Sequence, residues 1–96
     1  MKKKRLEYLA SARRDLRRIA DYYIEIAGAT VTAKIGSEIG NAILQIAEQP
    51  EIGRKLETAP YRQFVVSQYP FVILYRLTPT AARIIRVLHQ AQKKPH

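Results

Sequence analysis

Apolar residues recur along this chain with two different periods, and the change from one to the other falls near residue 60. In "KRLEYLA" (Lys4–Ala10) Leu6 and Tyr8 alternate with charged neighbours, which predicts a short strand. From Ala12 the apolar positions Leu16, Ile19, Ala20, Tyr23 and Ile26 recur at three- and four-residue steps, the stripe of an amphipathic helix. Ser11 is placed to cap that helix, and Asp15 to complement the positive end of its dipole. Gly28 ends it, because glycine tolerates a positive φ. Thr30 or Thr32 then caps a second helix running to about Gln49, with Ile35, Ile39, Ala42, Ile43 and Ile46 as its buried stripe and Pro50 closing it. Gly36 and Gly40, one turn apart, predict close approach of the second helix to the first.

"PEIGRKLETAP" reads as a polar loop, and the period then shortens to two. Strands are expected at Tyr61–Gln68, Phe71–Leu77 and Ala82–His89, punctuated by Pro70 and Pro79 and joined as antiparallel hairpins. The order is β-α-α-β-β-β, an α+β fold in which a two-helix layer covers one face of a small, largely antiparallel sheet. Strict alternation places Arg83, Ile85, Val87 and His89 on one face of the last strand and Ile84, Arg86 and Leu88 on the other. Val72, Leu74 and Arg76 oppose Phe71, Ile73, Tyr75 and Leu77, while Arg62, Phe64 and Val66 line up together. The face away from the helices is then half apolar and half cationic, the character of a peptide-binding surface.

Charge sharpens this picture. The chain of 96 residues forms one domain, with 92–96 expected as a flexible basic tail, and its formal net charge is +9. Every carboxylate lies at or before Glu57, whereas Arg62, Arg76, Arg83, Arg86, Lys93 and Lys94 follow with none. Such asymmetry points to an anionic partner, an acidic protein or nucleic acid, and direct nucleic-acid contact stays open at this point. Arg62, Arg76, Arg83 and Arg86 are the candidate contacts; the competing role for them is pairing with helix carboxylates such as Asp21 and Glu25. With no cysteine and only His89 and His96 as histidines, thiolate and multi-histidine metal sites are excluded, and no cofactor motif is present. The basic start lacks the uninterrupted apolar segment of a signal peptide or membrane span, which suits a cytoplasmic protein.

"ARRDLRRIADYYIE", "YRQFVVSQYPFVILYRL" and "IIRVLHQAQ", in this order from Leu6 to about Gln92, resemble the RelE/ParE superfamily of bacterial toxins from type II toxin–antitoxin pairs. The resemblance implies a partner, a small antitoxin whose acidic C-terminal segment wraps the toxin in a hetero-oligomer. RelE-like members cleave messenger RNA in the ribosome with several basic side chains and a C-terminal tyrosine; ParE-like members are known for inhibiting DNA gyrase. By strand position Arg62 matches one ribonuclease cation. The next basic positions fall on Phe64 and Phe71, and no tyrosine follows His89. Removing that many charge-stabilising groups, at about 2–4 kcal/mol each, weighs against phosphoryl transfer. The resemblance therefore implies the ParE-like branch, with no catalytic residue. The RelE-like alternative would use Arg62, Arg76 and His89.

Overall fold

The computed structural model describes residues 3–90. Its elements are β1 (Arg5–Tyr8), α1 (Ala10–Glu48), β2 (Arg54–Lys55), β3 (Arg62–Val65), β4 (Phe71–Leu77) and β5 (Ala81–His89). The expected basic tail at 92–96 lies outside the described residues.

The five strands form one sheet in the order β1-β5-β4-β3-β2. β5 runs antiparallel to β4 and parallel to β1, so the fold is the α+β type expected, with one parallel pair closing an otherwise antiparallel sheet. The additional strand is β2, whose two exposed residues carry no hydrophobic alternation to betray it. α1 supplies both expected helices. It breaks at Gly28, where φ is 85° and ψ 177°, a conformation reserved essentially for glycine.

Neither threonine caps the second half. Thr32 Oγ1 donates to the Gly28 carbonyl at 2.8 Å, inside the helix that starts there. The N-cap of α1 is Leu9, with no side-chain cap; Ser11 instead donates through Oγ to Ile85 O on β5 at 2.6 Å.

One core joins the second half of α1 to the sheet. Ile35, Ile39, Ala42, Ile43 and Ile46, the stripe read from periodicity, pack with Phe71, Ile73, Tyr75, Ile84 and Val87. Gly36 and Gly40 have a different role from the one expected. A Cβ on either would meet no atom within 4 Å, so they do not mediate helix contact. Without a close neighbour to accommodate, each glycine only adds backbone entropy to the unfolded chain. Gly36→Ala and Gly40→Ala are each expected to stabilise by about 0.5–1 kcal/mol, read as a rise in urea midpoint at constant slope.

The sheet register corrects one face assignment. Tyr75 pairs with Ile84 and Leu74 with Arg86, so Ile85 is the extra residue of a β-bulge. The bulge resets the alternation: Ala82, Ile84, Val87 and His89 share the helix-covered face, and Arg83, Arg86 and Leu88 the other. A strict two-residue period cannot anticipate this.

Candidate partner-binding surface

The open face of the sheet grades from buried Val72 through half-buried Leu74 and Leu88 to exposed Arg76 and Arg83. Arg76 and Arg83 stand directly opposite each other across β4 and β5. Like charges in that position repel. Arg83 Nε is relieved by Glu7 Oε1 on β1 at 2.8 Å, and Arg5 Nη2 reaches Glu7 Oε2 at 2.6 Å. These bonds, first from Arg5 and then from Arg83, hold the Glu7 carboxyl below the ordinary glutamate value of 4.5. Arg76 has no hydrogen-bond or ion-pair partner among the described residues. It is the cation of this face most available to an external carboxylate.

The other two arginines serve the fold. Arg62 lies opposite Tyr75 and donates through Nη1 to Gly53 O at 2.8 Å and Glu51 O at 3.2 Å, bracing the turn ahead of β2. It does not share the open face with Arg76. Arg86 grips Asp15, with Nε 2.7 Å from Oδ2 and Nη2 3.1 Å from Oδ1, and that bond raises its already high pKa further. Neither Asp21 nor Glu25 is involved. Asp15 also accepts the Val87 amide at 2.9 Å and is 3% exposed, so it does not stand at the helix terminus as a solvated dipole partner.

The reason lies in the sheet edge. β1 pairs with β5 only as far as Ile84, and beyond it the outer edge of β5 loses its neighbour. Leu9 N donates to Ile84 O, Ser11 to Ile85 O, and Asp15 takes Val87 N. The first turns of α1 therefore replace a strand, satisfying an edge that would otherwise recruit another chain.

His89 closes β5 opposite Phe71, and their rings stack edge-on at 5.7 Å. Tyr23 continues this aromatic row at 6.1 Å from Phe71. Together with Asp15, Arg18, Ile19, Tyr22 and Val87 they line a cleft of 350 Å³. The cleft's carboxylate is already committed to Arg86 and Val87, and the His89 ring packs on Phe71. Arg76 lies five residues along β4 from the position facing His89, about 17 Å away. Arg62, Arg76 and His89 are thus not brought together.

Sequence reasoning missed Asp15, because its partners are 71 and 72 residues away along the chain. It also missed Tyr75, whose hydroxyl donates to Pro50 O at 2.7 Å and accepts from Gly53 N at 2.8 Å. Burial raises the Tyr75 pKa above the ordinary 10.0. Among the described residues no group of three or more His, Cys, Asp or Glu could hold a metal ion, and no helix is long and apolar enough to cross a membrane.

Residues 6–94 match the family model of the ParE toxin of the type II toxin–antitoxin system, parDE. The chain belongs to this family. A relative from Sinorhizobium fredii (strain NBRC 101917 / NGR234), "Putative toxin Y4kP", is 32% identical over 95 residues, covering 99% of this chain and 97% of its own. Among solved structures, the chromosomal ParDE toxin–antitoxin system from P. aeruginosa superposes with a TM-score of 0.80 at 22% identity, over 90% of this ParE-family chain and 95% of that one. The E. coli DinJ–YafQ toxin–antitoxin complex is more distant, with a TM-score of 0.63 at 13% identity over 94% and 96% of the two chains. At these identities the structures share the fold; the family match carries the identification.

Proposed function

We propose that this ParE-family toxin acts in the cytoplasm by binding, without cofactor or covalent chemistry, and that its target is DNA gyrase. A ParD-like antitoxin holds it inactive by laying an acidic, amphipathic C-terminal segment on the open sheet face. The observation that carries this reading is the Arg76–Arg83 pair: two cations in register, one of them unpartnered among the described residues, beside half-buried Leu74 and Leu88. An acidic segment would supply the missing countercharge and cover the apolar strip. The separation of Arg62, Arg76 and His89 supports binding over ribonuclease chemistry, because phosphoryl transfer needs its charged groups around one phosphate.

Inducing the toxin in bacteria without antitoxin tests the target. Filamentation with a DNA-damage response is expected; rapid translation arrest with cleaved codons would instead identify the RelE-like activity. For the antitoxin contact, Arg76→Glu with Arg83→Glu is expected to weaken binding of the acidic segment at least 10-fold, about 1.4 kcal/mol, measured by calorimetry. Unchanged affinity would remove the sheet face from the interface.

A further inference from the structure

The first nine residues of α1 break a local rule. Arg13, Arg14, Arg17 and Arg18 are all exposed there, and the first turn contains no acidic residue. Arg13, in the first turn, opposes the macrodipole, and the i,i+4 pairs Arg13–Arg17 and Arg14–Arg18 add like-charge repulsion. The nearest carboxylate, Asp15, is turned inward to Arg86 and Val87, leaving only a long 3.7 Å approach from Arg18. Further countercharge on the same helix comes from Asp21 and Glu25, which share a surface depression with Arg14, Arg17 and Arg18 at the C-terminal end of the ridge. The pattern costs stability in the isolated chain, and a polyanion would reverse its sign.

We infer that this arginine ridge is a nucleic-acid-binding surface that engages the phosphate backbone. Each i,i+4 pair is spaced about 6 Å along the helix axis, close enough for neighbouring guanidiniums to meet successive phosphates of one strand. Arginine suits this role, since its planar fork bonds phosphate oxygens bidentately. The ridge lies on the exposed side of a helix whose other side, through Ala12, Leu16 and Ile19, packs into the core. It is therefore a surface of α1 separate from Arg76 and Arg83, which stand on β4 and β5. Four guanidiniums without base-reading elements bind phosphate without sequence preference. The inference is independent of the gyrase reading, because its readout is nucleic-acid binding by the toxin itself.

The test must separate a localised ridge from the diffuse attraction of any chain carrying +9. Two triple variants of the full chain lose the same charge: Arg13→Gln, Arg14→Gln, Arg17→Gln in the ridge, and Lys34→Gln, Arg54→Gln, Lys55→Gln elsewhere on the exposed surface. Binding to a fluorescent DNA duplex and to single-stranded RNA is measured by anisotropy across a salt series. The ridge variant is expected to reduce the slope of log K against log salt by about 2.7 on duplex DNA and about 2 on single strands, while the control variant leaves both slopes nearly unchanged. The tighter affinity at a fixed salt concentration identifies the preferred nucleic acid. Single Arg→Gln variants should each remove about 0.9 on duplex, and a triple Arg→Lys variant should retain the slope, which guards against misfolding as the cause. Equal slope losses in the two triple variants would overturn the ridge in favour of diffuse charge. Unchanged nucleic-acid binding with weakened affinity for the acidic antitoxin segment would overturn it in favour of a protein interface.

Discussion

Asp15→Ala is expected to destabilise the fold by about 3 kcal/mol, among the largest effects available from a single side chain here. The carboxylate serves three donors at once: Arg86 Nε, Arg86 Nη2 and the Val87 amide. Losing the Arg86 bonds alone is moderate, because the Arg86 side chain is 40% exposed and can turn to water. The Val87 amide has no such recourse. Val87 is 2% exposed, and a buried N–H left without an acceptor costs about 1–3 kcal/mol by itself. Removing the carboxylate also breaks the tie between α1 and the stretch of β5 that β1 does not cover. Urea unfolding should show the loss, and hydrogen exchange should locate it, with the Val87 amide accelerating more than that of Ile84, whose strand still pairs with β1. Asp15→Asn should fall in between, since its amide oxygen can still accept from Val87. A change below about 1 kcal/mol for Asp15→Ala would mean that the edge is held by packing alone.

The same residue shows what a linear reading can and cannot reach. Position 15 reads equally well as a solvated dipole partner or as a buried acceptor. The choice depends on Arg86 arriving 71 residues later. Local information sufficed where burial follows a period, as for Ile35, Ile39, Ala42, Ile43 and Ile46, all buried as the helical stripe requires. It sufficed at Gly28 as well, although the glycine both ends one helical segment and begins the next. It failed where one residue departs from the period. The bulge at Ile85 moves every later side chain of β5 to the opposite face from the one that alternation assigns, which regrouped the arginines.

The candidate surface was legible in outline only. Arginines on a half-apolar sheet follow from composition and period, and Arg76 and Arg83 do share an open face. Arg62 does not join them, because residues opposing Tyr75 face the helix side, where its guanidinium meets the carbonyls of Glu51 and Gly53. Nothing within "YRQFV" distinguishes an arginine bonding backbone from one bonding a partner. That distinction comes from the turn at Pro50–Gly53, which folds back over β3 and whose geometry is set by tertiary contacts.

That turn is also where a methyl group should do most damage. A Cβ on Gly53 would lie 2.6 Å from Tyr75 Oη, 2.7 Å from Tyr75 Cε1 and 3.0 Å from Gln63 O. None of these can retreat easily. Tyr75 is fully buried with its hydroxyl held between Pro50 O and Gly53 N, and Gln63 O is backbone of β3. Gly53→Ala is therefore expected to cost about 3 kcal/mol, combining overpacking with a distorted hydrogen bond. Tyr75→Phe should cost about 1–3 kcal/mol, because it leaves the Gly53 amide and Pro50 carbonyl unserved. It should also remove an alkaline sensitivity. The raised Tyr75 pKa means that its contribution is complete below the ordinary tyrosine value of 10.0 and is lost as pH rises through the folded value. Combining the two substitutions makes room at the hydroxyl position, so the double variant should be more stable than the sum of the single costs by about 1 kcal/mol or more. Strict additivity, or a Gly53→Ala variant within about 0.5 kcal/mol of the parent, would show that the turn moves freely and that Tyr75 does not anchor it. The contrast with Gly36 and Gly40 makes this a test of environment rather than of glycine: one substitution at three positions, with opposite signs set by what stands where the new Cβ would go.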